Sequence, residues 1–360
     1  MTQDRHVKLI NWATLSQKQR YQISAMCEYG LKVTLLTLDF LGGTSEVLKG
    51  IESEVRVVKL PHAPWKRVVL FFREIIFARR GTIIVVPVAS KVSFIAVFMG
   101  RVRGLKTICV EWGDIGGWKW HSRLLRISMR ISYSLADVIW YKEPYMINHF
   151  PDSVKSKLFF LPNAVEIPEE LENRAHRKID FLWANRFVNR RRFPILFASA
   201  IEQISQEKSV RGVLIGLLPA ERVTKEEADE QDYIRDQADD SLEVLDFENP
   251  LPLFSNARFF VLIANEVYGN NSLFEAMARG AVPIVTKSPG VEMIIQNGVN
   301  GFICELNEAS VYSAMRKAID LNHDEWLSMS ESSQLTVRAS HNVDQWGKNF
   351  RKMVALCATQ

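Results

Sequence analysis

Strand-length apolar runs alternate with helix-length amphipathic stretches along the whole chain. Residues 82–88 are almost continuously apolar, 32–38 are mostly apolar, and 16–30 has a helical period that Gly30 closes. Strands buried on both faces read as continuous apolar runs, and their alternation with helices is typical of parallel sheets covered by helices. The predicted strands are 6–13, 32–38, 54–60, 82–88, 106–112, 137–141 and 157–162, then 179–187, 210–218, 242–247, 257–264 and 281–287.

A polar segment without a strong period, 164–178, separates the two sets of strands, and we interpret it as a linker. The pattern therefore predicts an α/β fold with two successive open parallel sheets, in a first domain over 1–165 and a second over 176–335. A second charged stretch, 221–240, is too polar for a core and is predicted to form an exposed helix or loop.

Two apolar stretches in the first half invite a membrane interpretation. Residues 82–100 are long enough to resemble a span, but Pro87 and Lys91 interrupt them, which favours a buried strand followed by a buried helix. Residues 64–80 mix five Lys and Arg residues with Val, Leu, Phe and Ile at helical spacing. Such a helix can lie on an anionic bilayer, or pack on the core with a solvated basic back; the sequence leaves both open.

The charge is divided unevenly. Up to residue 160 there are 24 Lys and Arg against 12 Asp and Glu, and after it 21 against 29. A basic half suits an anionic partner, such as a phosphate-bearing substrate or an acidic membrane, although unevenly shared solvated charge gives the same count. No nucleic-acid-binding module is recognisable, so no nucleic-acid partner is expected.

Cysteine usage and the N-terminal residues bear on the compartment. The four cysteines lie at Cys27, Cys109, Cys304 and Cys357, without the short spacings of a zinc site or a disulfide framework. The N-terminal residues lack the apolar core of a signal peptide. We expect a cytoplasmic protein.

The segment 257–302 carries the most chemical information. It reads as a strand, a loop rich in Gly and Asn, a short helix and a second strand. Ser272 is expected to cap the helix, with Glu275 completing a capping box and Gly280 closing the other end. Such a loop presents backbone N–H groups at a helix N-terminus, which bind phosphate well, but Glu275 could equally serve only as a cap.

Other catalytic motifs are missing from the sequence. There is no GxGxxG after the first strand, and no GxxxxGK[ST], GxSxG or HExxH. Their absence disfavours dehydrogenases, P-loop enzymes, serine hydrolases and zinc peptidases.

The stretch NEVYGNNSLFEAMARGAVPIVT (265–286) resembles the nucleotide-binding signature of retaining glycosyltransferases of the GT-B fold, particularly family GT4, the glycosyl transferases group 1. Three further stretches are similar to the same family: FLPNAVEIP (160–168), FLWANRFVNRRR (181–192) and SPGVEMIIQNGVNGF (288–302). The resemblance is strong over 158–305 and diffuse over the first 150 residues. It implies two Rossmann-like domains facing a central cleft, with the final segment, 336–360, forming a helix that crosses back to the first domain.

The resemblance also implies roles for individual residues. Glu275 would accept hydrogen bonds from the ribose hydroxyls of the donor, and the N–H groups of Asn271, Ser272 and Leu273 would hold its diphosphate. Arg186 matches the family's Arg, and Arg191 stands where the family has a Lys; both would neutralise charge on the departing diphosphate. Arg190 and Arg192 leave the second assignment open by one residue.

Two positions depart from the family pattern. Glu266 lies nine residues before Glu275 where the family has eight, and Val267 occupies the strict position. Either the loop carries an extra residue and Glu266 still reaches the donor sugar as a catalytic group, or that contact is missing. In VEWGDIGG (110–117), Trp112 stands where many relatives have a His; Asp114 and Glu111 are the polar candidates there, although either carboxylate could cap the following helix.

The expected activity is retaining transfer of a hexosyl-type residue from a nucleoside diphosphate sugar to an acceptor hydroxyl, in cell-surface polysaccharide, lipopolysaccharide or lipid-linked glycan synthesis. No cofactor and no metal are expected. The expected partners are the donor, a glycan or lipid-linked acceptor, and an anionic membrane contacted peripherally, at the cytoplasmic face of the inner membrane. The alternatives are a non-catalytic nucleotide-sugar-binding or scaffolding relative, and a sugar-nucleotide epimerase or hydrolase of the same fold.

Overall fold

The computed structural model describes residues 5–11, 15, 17–38, 47–61, 63–88, 93–111, 122–169, 177–185, 191–219, 223–246 and 249–359, called the described residues below. The chain divides into two compact units: residues 1–164 with 343–360, and residues 165–342. Each unit contains one parallel sheet.

The first unit is built on a seven-stranded parallel sheet in the order β3-β2-β1-β4-β5-β6-β7. The order reverses between β1 and β4, as in doubly wound folds. The strands are β1 (His6–Asn11), β2 (Lys32–Leu38), β3 (Val55–Leu60), β4 (Ile83–Pro87), β5 (Lys106–Glu111), β6 (Val138–Tyr141) and β7 (Leu158–Phe160).

Helices cover both faces of this sheet. Buried side chains of α1 (Gln17–Glu28) pack on one face, and those of α2 (Pro64–Ile76), α3 (Ser93–Val102) and α4 (Arg123–Leu135) pack on the other. Two 3₁₀ helices, Pro144–His149 and Asp152–Lys157, connect β6 to β7.

The last helix of the chain, α11 (Val343–Thr359), completes the first face beside α1. Trp346 and Phe350 of this helix pack against Trp140 of β6, with ring centroids 5.7 Å from it in both cases. The indole N–H groups of Trp140 and Trp346 donate to the carbonyl oxygens of Leu161 (2.7 Å) and Pro162 (2.8 Å). The end of the first sheet is thus held by two buried indoles.

The second unit repeats the plan with six parallel strands in the order β10-β9-β8-β11-β12-β13, which reverses between β8 and β11. The strands are β8 (Ile179–Ala184), β9 (Gly212–Leu217), β10 (Leu242–Asp246), β11 (Ala257–Leu262), β12 (Val282–Thr286) and β13 (Phe302–Cys304). The helices are α5 (Pro194–Ser205), α6 (Lys225–Asp236), α7 (Leu251–Phe254), α8 (Asn271–Ala278), α9 (Glu308–Ile319) and α10 (His323–Ser340), with a 3₁₀ helix at Val291–Met293.

The predicted alternation is confirmed: every predicted strand contains an observed one, while the three-residue β13 was not predicted. Within 82–100, Ile83–Pro87 form the buried strand β4, and residues 93–100 form the first part of α3, which buries one side against the core; the strand and helix interpretation is thus confirmed for the described residues, although the helix is only partly buried. The charged stretch 221–240 contains helix α6, which begins with a capping box between Thr224 and Glu227. No helix among the described residues is long and apolar enough to cross a membrane.

Candidate functional site

The candidate site lies where the strand order of the second sheet reverses. Ligands of open parallel sheets bind outside the carboxyl ends of the strands at such a point. Asn185 follows β8 directly, and the loop 263–270 follows β11, the neighbour of β8 across the reversal. Helix α8 begins at the end of that loop.

Asn270, and not Ser272, caps the N-terminus of α8. The Asn270 side chain accepts a hydrogen bond from the Leu273 N–H at 3.0 Å. A tight turn precedes it: Asn270 N–H donates to Val267 O at 3.3 Å, and Gly269 takes φ 78°, which favours glycine. Ser272 is already the second helical residue, so the predicted capping box with Glu275 is wrong. The sequence placed the cap two residues late because Asn270, Asn271 and Ser272 are all good caps.

The other end of α8 follows the expectation. Gly280 has φ 77°, its N–H donates to Met277 O, and the Ala281 N–H donates to Ala276 O. These two bonds form a Schellman motif, which ends the helix at Ala278.

Polar groups at the start of α8 are left without partners. Among the described residues, nothing accepts from the N–H of Asn271 or Ser272. The Asn271 Oδ1 atom is buried and also unpartnered. Of the three N–H groups predicted to hold the diphosphate, the Leu273 N–H differs because it already donates to the side chain of the cap, Asn270. Two backbone donors at the positive end of a helix dipole suit an anionic ligand.

Asn185 ties this helix start to the first strand of the unit. The Asn270 Nδ2 donates to Asn185 Oδ1 at 2.8 Å, while the Asn185 Nδ2 is buried and finds no acceptor among the described residues. Neither asparagine was predicted from the sequence as a site residue. A polar residue directly after a buried strand at the point of reversal was the available signal for Asn185.

Glu275 lies on the fifth residue of α8 and is only 6% exposed. No described residue donates a hydrogen bond to its carboxylate; the Arg279 guanidinium instead donates to the Glu275 backbone oxygen at 3.2 Å. Burial raises the pKa of Glu275 to about 7; the charge of Arg279 opposes this rise and that of Glu166 adds to it. A buried carboxylate without donors can accept hydrogen bonds from a ligand's hydroxyl groups.

The buried His341 packs against Phe274, the residue before Glu275 in α8. Its ring contacts Phe274, with centroids 3.9 Å apart, and its Nδ1 is 2.6 Å from Ser340 Oγ. Its Nε2 is buried and has no hydrogen-bond partner in the part of the chain that the structure describes, and burial lowers the pKa of His341 to about 3. The Val165 N–H donates to the His341 carbonyl at 2.8 Å, which brings the segment carrying Glu166 to the end of α10.

The loop after β11 is fixed by two hydroxyl groups, one on the last residue of β12 and one just beyond that strand. Thr286 Oγ1 accepts from Ala264 N–H at 2.8 Å and donates to Ala264 O at 2.6 Å. Ser288 Oγ accepts from the Val267 N–H at 3.1 Å. Val267 is fully buried and Glu266 is exposed. The residue eight positions before Glu275 is therefore a core residue, and the loop presents Glu266 outward.

Arg191 lies next to the same loop. Its carbonyl accepts from the Asn265 N–H at 3.0 Å, and Arg192 pairs with Ala264 in an antiparallel bridge. The Arg191 side chain is exposed. Arg191, Glu266 and the start of α8 therefore all lie at the carboxyl ends of β8 and β11.

Four other predicted positions lie outside the described residues: Arg186, Arg190, Trp112 and Asp114. Glu111, the other polar candidate in that stretch, is buried at the end of β5 and accepts a hydrogen bond from the Tyr133 hydroxyl. The described residues contain no group of three or more His, Cys, Asp and Glu side chains that could hold a metal ion.

The NGVNGF stretch, 297–302, packs against β12. A Cβ atom on Gly301 would lie 2.7 Å from the Pro283 carbonyl oxygen, so the close approach requires glycine. Asn300 is buried and bonds both to Gln296 N–H (2.7 Å) and to Ile294 O (2.9 Å). This part of the predicted signature serves packing of the second unit.

Residues 178–320 match the family model described as glycosyl transferases group 1. No curated protein sequence is significantly similar to the chain.

Three solved structures illustrate the structural likeness. HepE of Anabaena, in complex with UDP and glucose, is 12% identical with a TM-score of 0.79, over 98% of this chain and 99% of that one. Sucrose-phosphate synthase of Thermosynechococcus elongatus is 13% identical (TM-score 0.74; 99% and 100% covered). The pneumococcal O-GlcNAc transferase GtfA, in complex with UDP and GlcNAc, is 9% identical (0.74; 99% and 100%).

The chain therefore has the GT-B fold of these proteins, with two α/β units each built on a parallel sheet. The second unit carries a glycosyl transferases group 1 domain, and the chain is a glycosyltransferase.

Proposed function

We propose that the protein is a retaining glycosyltransferase of family GT4 that transfers a hexosyl residue from a nucleoside diphosphate sugar to an acceptor hydroxyl. The observation that carries the proposal is the buried Glu275 carboxylate, to which no described residue donates a hydrogen bond, on a helix whose first two N–H groups also find no acceptor among the described residues. A ribose diol and a diphosphate are the two groups that such a site would satisfy together.

Uridine is the proposed base of the donor. HepE has been solved with UDP-glucose, and GtfA with UDP and GlcNAc. In this chain, Glu275 would accept hydrogen bonds from the ribose hydroxyls, and the N–H groups of Asn271 and Ser272 would donate to the diphosphate. The Leu273 N–H would join them only if the Asn270 cap released it.

The reaction needs stabilisation of a leaving diphosphate more than it needs a nucleophile. The bond between the anomeric carbon and the diphosphate oxygen breaks, the acceptor oxygen attacks from the same face, and its proton passes to the leaving diphosphate. Arg191 and Arg186 would neutralise the growing negative charge, together with the helix N–H groups, without a metal ion or cofactor. Glu266 would contact the donor sugar from the outward side of its loop, and Asp114 would face the acceptor hydroxyl.

The proposed acceptor is a growing glycan or a lipid-linked chain, in lipopolysaccharide or other cell-surface polysaccharide synthesis. The basic first half of the chain supports an anionic acceptor or peripheral contact with an anionic membrane at its cytoplasmic face.

Isothermal titration of UDP, GDP and ADP tests the donor site. We expect UDP to bind, and Glu275→Gln to weaken binding roughly 10- to 100-fold, as loss of hydrogen bonds to a charged group does. Glu202→Gln, an exposed glutamate on α5 of the same unit, is the matched control and should bind like the wild type. If no nucleotide binds at millimolar concentration, the donor site is wrong.

Product analysis tests the chemistry. NMR of the glycoside formed from an α-linked donor should show an α linkage, whereas a β linkage would exclude retention. Donor binding without transfer to any acceptor would favour the scaffolding alternative. Conversion of the donor alone would favour the epimerase or hydrolase.

A further inference from the structure

Helices α2, α3 and α4 form one layer on the first sheet, with α3 packed between the other two. Each helix uses one side for the core: α2 buries Phe71 and Ile75, α3 buries Val97, and α4 buries Met129 and Tyr133. The opposite sides of these helices are the outer surface of the layer.

This outer surface is unusually apolar. In α4, Leu124, Ile127 and Ile131 follow one another at spacings of three and four, so they form a second apolar stripe that the core does not use. In α2, Trp65, Val69 and Ile76 are likewise exposed. The most exposed apolar side chains of the layer are Phe77 (78%), Trp65 (66%), Val102 (66%), Leu124 (66%) and Val69 (59%).

The charge on the same layer is of one sign. Its three helices and the residues directly following α2 and α3 carry ten Lys and Arg residues: Lys66, Arg67, Arg73, Arg79, Arg80, Arg101, Arg103, Arg123, Arg126 and Arg130. In α4, Arg123, Arg126 and Arg130 run beside the apolar stripe at the same spacing. Glu74 is the single acidic residue of these segments, and it is buried in an ion pair with Lys8 at 2.7 Å.

Charge complementarity decides what covers this surface. A second copy of the same face would bring Arg residues against Arg residues, which opposes self-association. Exposed aromatic and aliphatic side chains surrounded by Lys and Arg match an anionic bilayer, where the apolar groups enter the acyl boundary and the cations meet lipid phosphates.

We propose that the outer surface of α2, α3 and α4 is a membrane-docking surface that binds anionic phospholipid bilayers. The inserting side chains are Trp65 of α2, Phe77 directly after α2, and the apolar stripe of α4. This proposal specifies which surface makes the membrane contact of the proposed function. It rests on the proposed function only for the reason why the enzyme would bind a membrane. The surface belongs entirely to the first unit, and the candidate donor site to the second.

Co-sedimentation of the full chain with vesicles tests the surface. We expect binding to vesicles of phosphatidylcholine mixed with phosphatidylglycerol, little binding to phosphatidylcholine alone, and weakening as salt is added. The double variant Trp65→Ser, Phe77→Ser should bind the anionic vesicles roughly tenfold or more weakly, because two large apolar groups no longer insert. Arg123→Gln with Arg126→Gln should weaken binding and reduce its salt dependence.

Matched controls are available elsewhere on the chain. Leu335→Ser removes a side chain that is 63% exposed on α10 of the second unit, and Arg351→Gln with Lys352→Gln removes two charges from α11, on the other face of the first sheet. Both should bind vesicles like the wild type. UDP titration on the same samples separates this result from the proposed function, since the docking variants should keep their nucleotide affinity.

The proposal is overturned if the wild type does not sediment with anionic vesicles, or if the controls weaken binding as much as the docking variants. It is also overturned if the wild type is a dimer that the Trp65→Ser, Phe77→Ser variant dissociates, without any vesicle binding, because the occupant would then be a second copy.

Discussion

The Asn270 side chain bonds in two directions: its Nδ2 donates to Asn185 Oδ1 at 2.8 Å, and its Oδ1 accepts from the Leu273 N–H at 3.0 Å. One amide thus fixes the start of α8 against the end of β8. The unpartnered groups of the candidate site, the N–H donors of Asn271 and Ser272, lie immediately beyond it. Their position depends on this one side chain.

Asn270→Ala should destabilise the second unit by roughly 1–3 kcal/mol, because it removes a helix cap and leaves Asn185 buried without its donor. Asn270→Ser keeps a cap and should recover part of the loss. The melting temperature of the transition that UDP shifts, measured by calorimetry, reports the effect.

Asn307 provides the comparison, because its side chain caps α9 by accepting from Ser310 N–H at 2.9 Å. Asn307→Ala should lower stability by about 1 kcal/mol and leave nucleotide affinity unchanged. Equal nucleotide affinity in Asn270→Ala and the wild type would show that Asn270 does not position the donor site.

Glu275 should make the second unit less stable as pH rises. Its folded pKa of about 7 lies above the ordinary value of 4.5, so between these values the folded protein holds a proton that the unfolded chain has lost. The stability contribution falls by about 1.4 kcal/mol per pH unit over that window and levels off above pH 7. Glu275→Gln should remove this slope. The melting temperature of the variant relative to that of the wild type should therefore rise between pH 4.5 and 7. A difference that does not change with pH would contradict the assignment.

His341 should act in the opposite direction. Its folded pKa of about 3 lies below the ordinary value of 6.5, so its contribution is complete above pH 6.5 and is lost as pH falls toward 3. His341→Phe keeps a ring against Phe274 and removes the titration, so it should flatten acid unfolding across this window. His323→Phe, on the first turn of α10, is the control and should keep the wild-type acid profile. An unchanged profile in His341→Phe would show that His341 does not control acid stability.

Arg191 should recognise the diphosphate and not the nucleoside. Arg191→Gln is expected to weaken UDP binding roughly 10-fold while leaving uridine binding unchanged, since it removes one cation from a charge-assisted contact. Arg190→Gln and Arg192→Gln test the one-residue ambiguity of the sequence pattern in both directions. Arg211→Gln, at an exposed arginine paired with Glu243, is the surface control. If Arg192→Gln shows the selective loss instead, the family's cation is Arg192.

The strands were predictable because buried parallel strands have mostly apolar sequences. Among the strands of the described residues, only β13, which is three residues long, was not predicted. The position of Glu275 was predictable from the resemblance, but its burial and lack of partners were not, because they depend on segments far away in sequence, such as the one that carries Glu166. The cap of α8 was misplaced because local preference does not separate three adjacent polar residues. His341 was not predicted because no local sequence pattern around it indicates that its ring contacts Phe274.

The discontinuity of the first unit sets an order for biosynthesis. Domains of a growing chain generally fold from the N-terminal end as they emerge. Here residues 165–342 are complete while the first unit still lacks Trp346 and Phe350, which complete one face of its sheet beside α1. The unit made first is therefore the one that finishes folding last, with its β1–β7 core partly uncovered until the final helix is released.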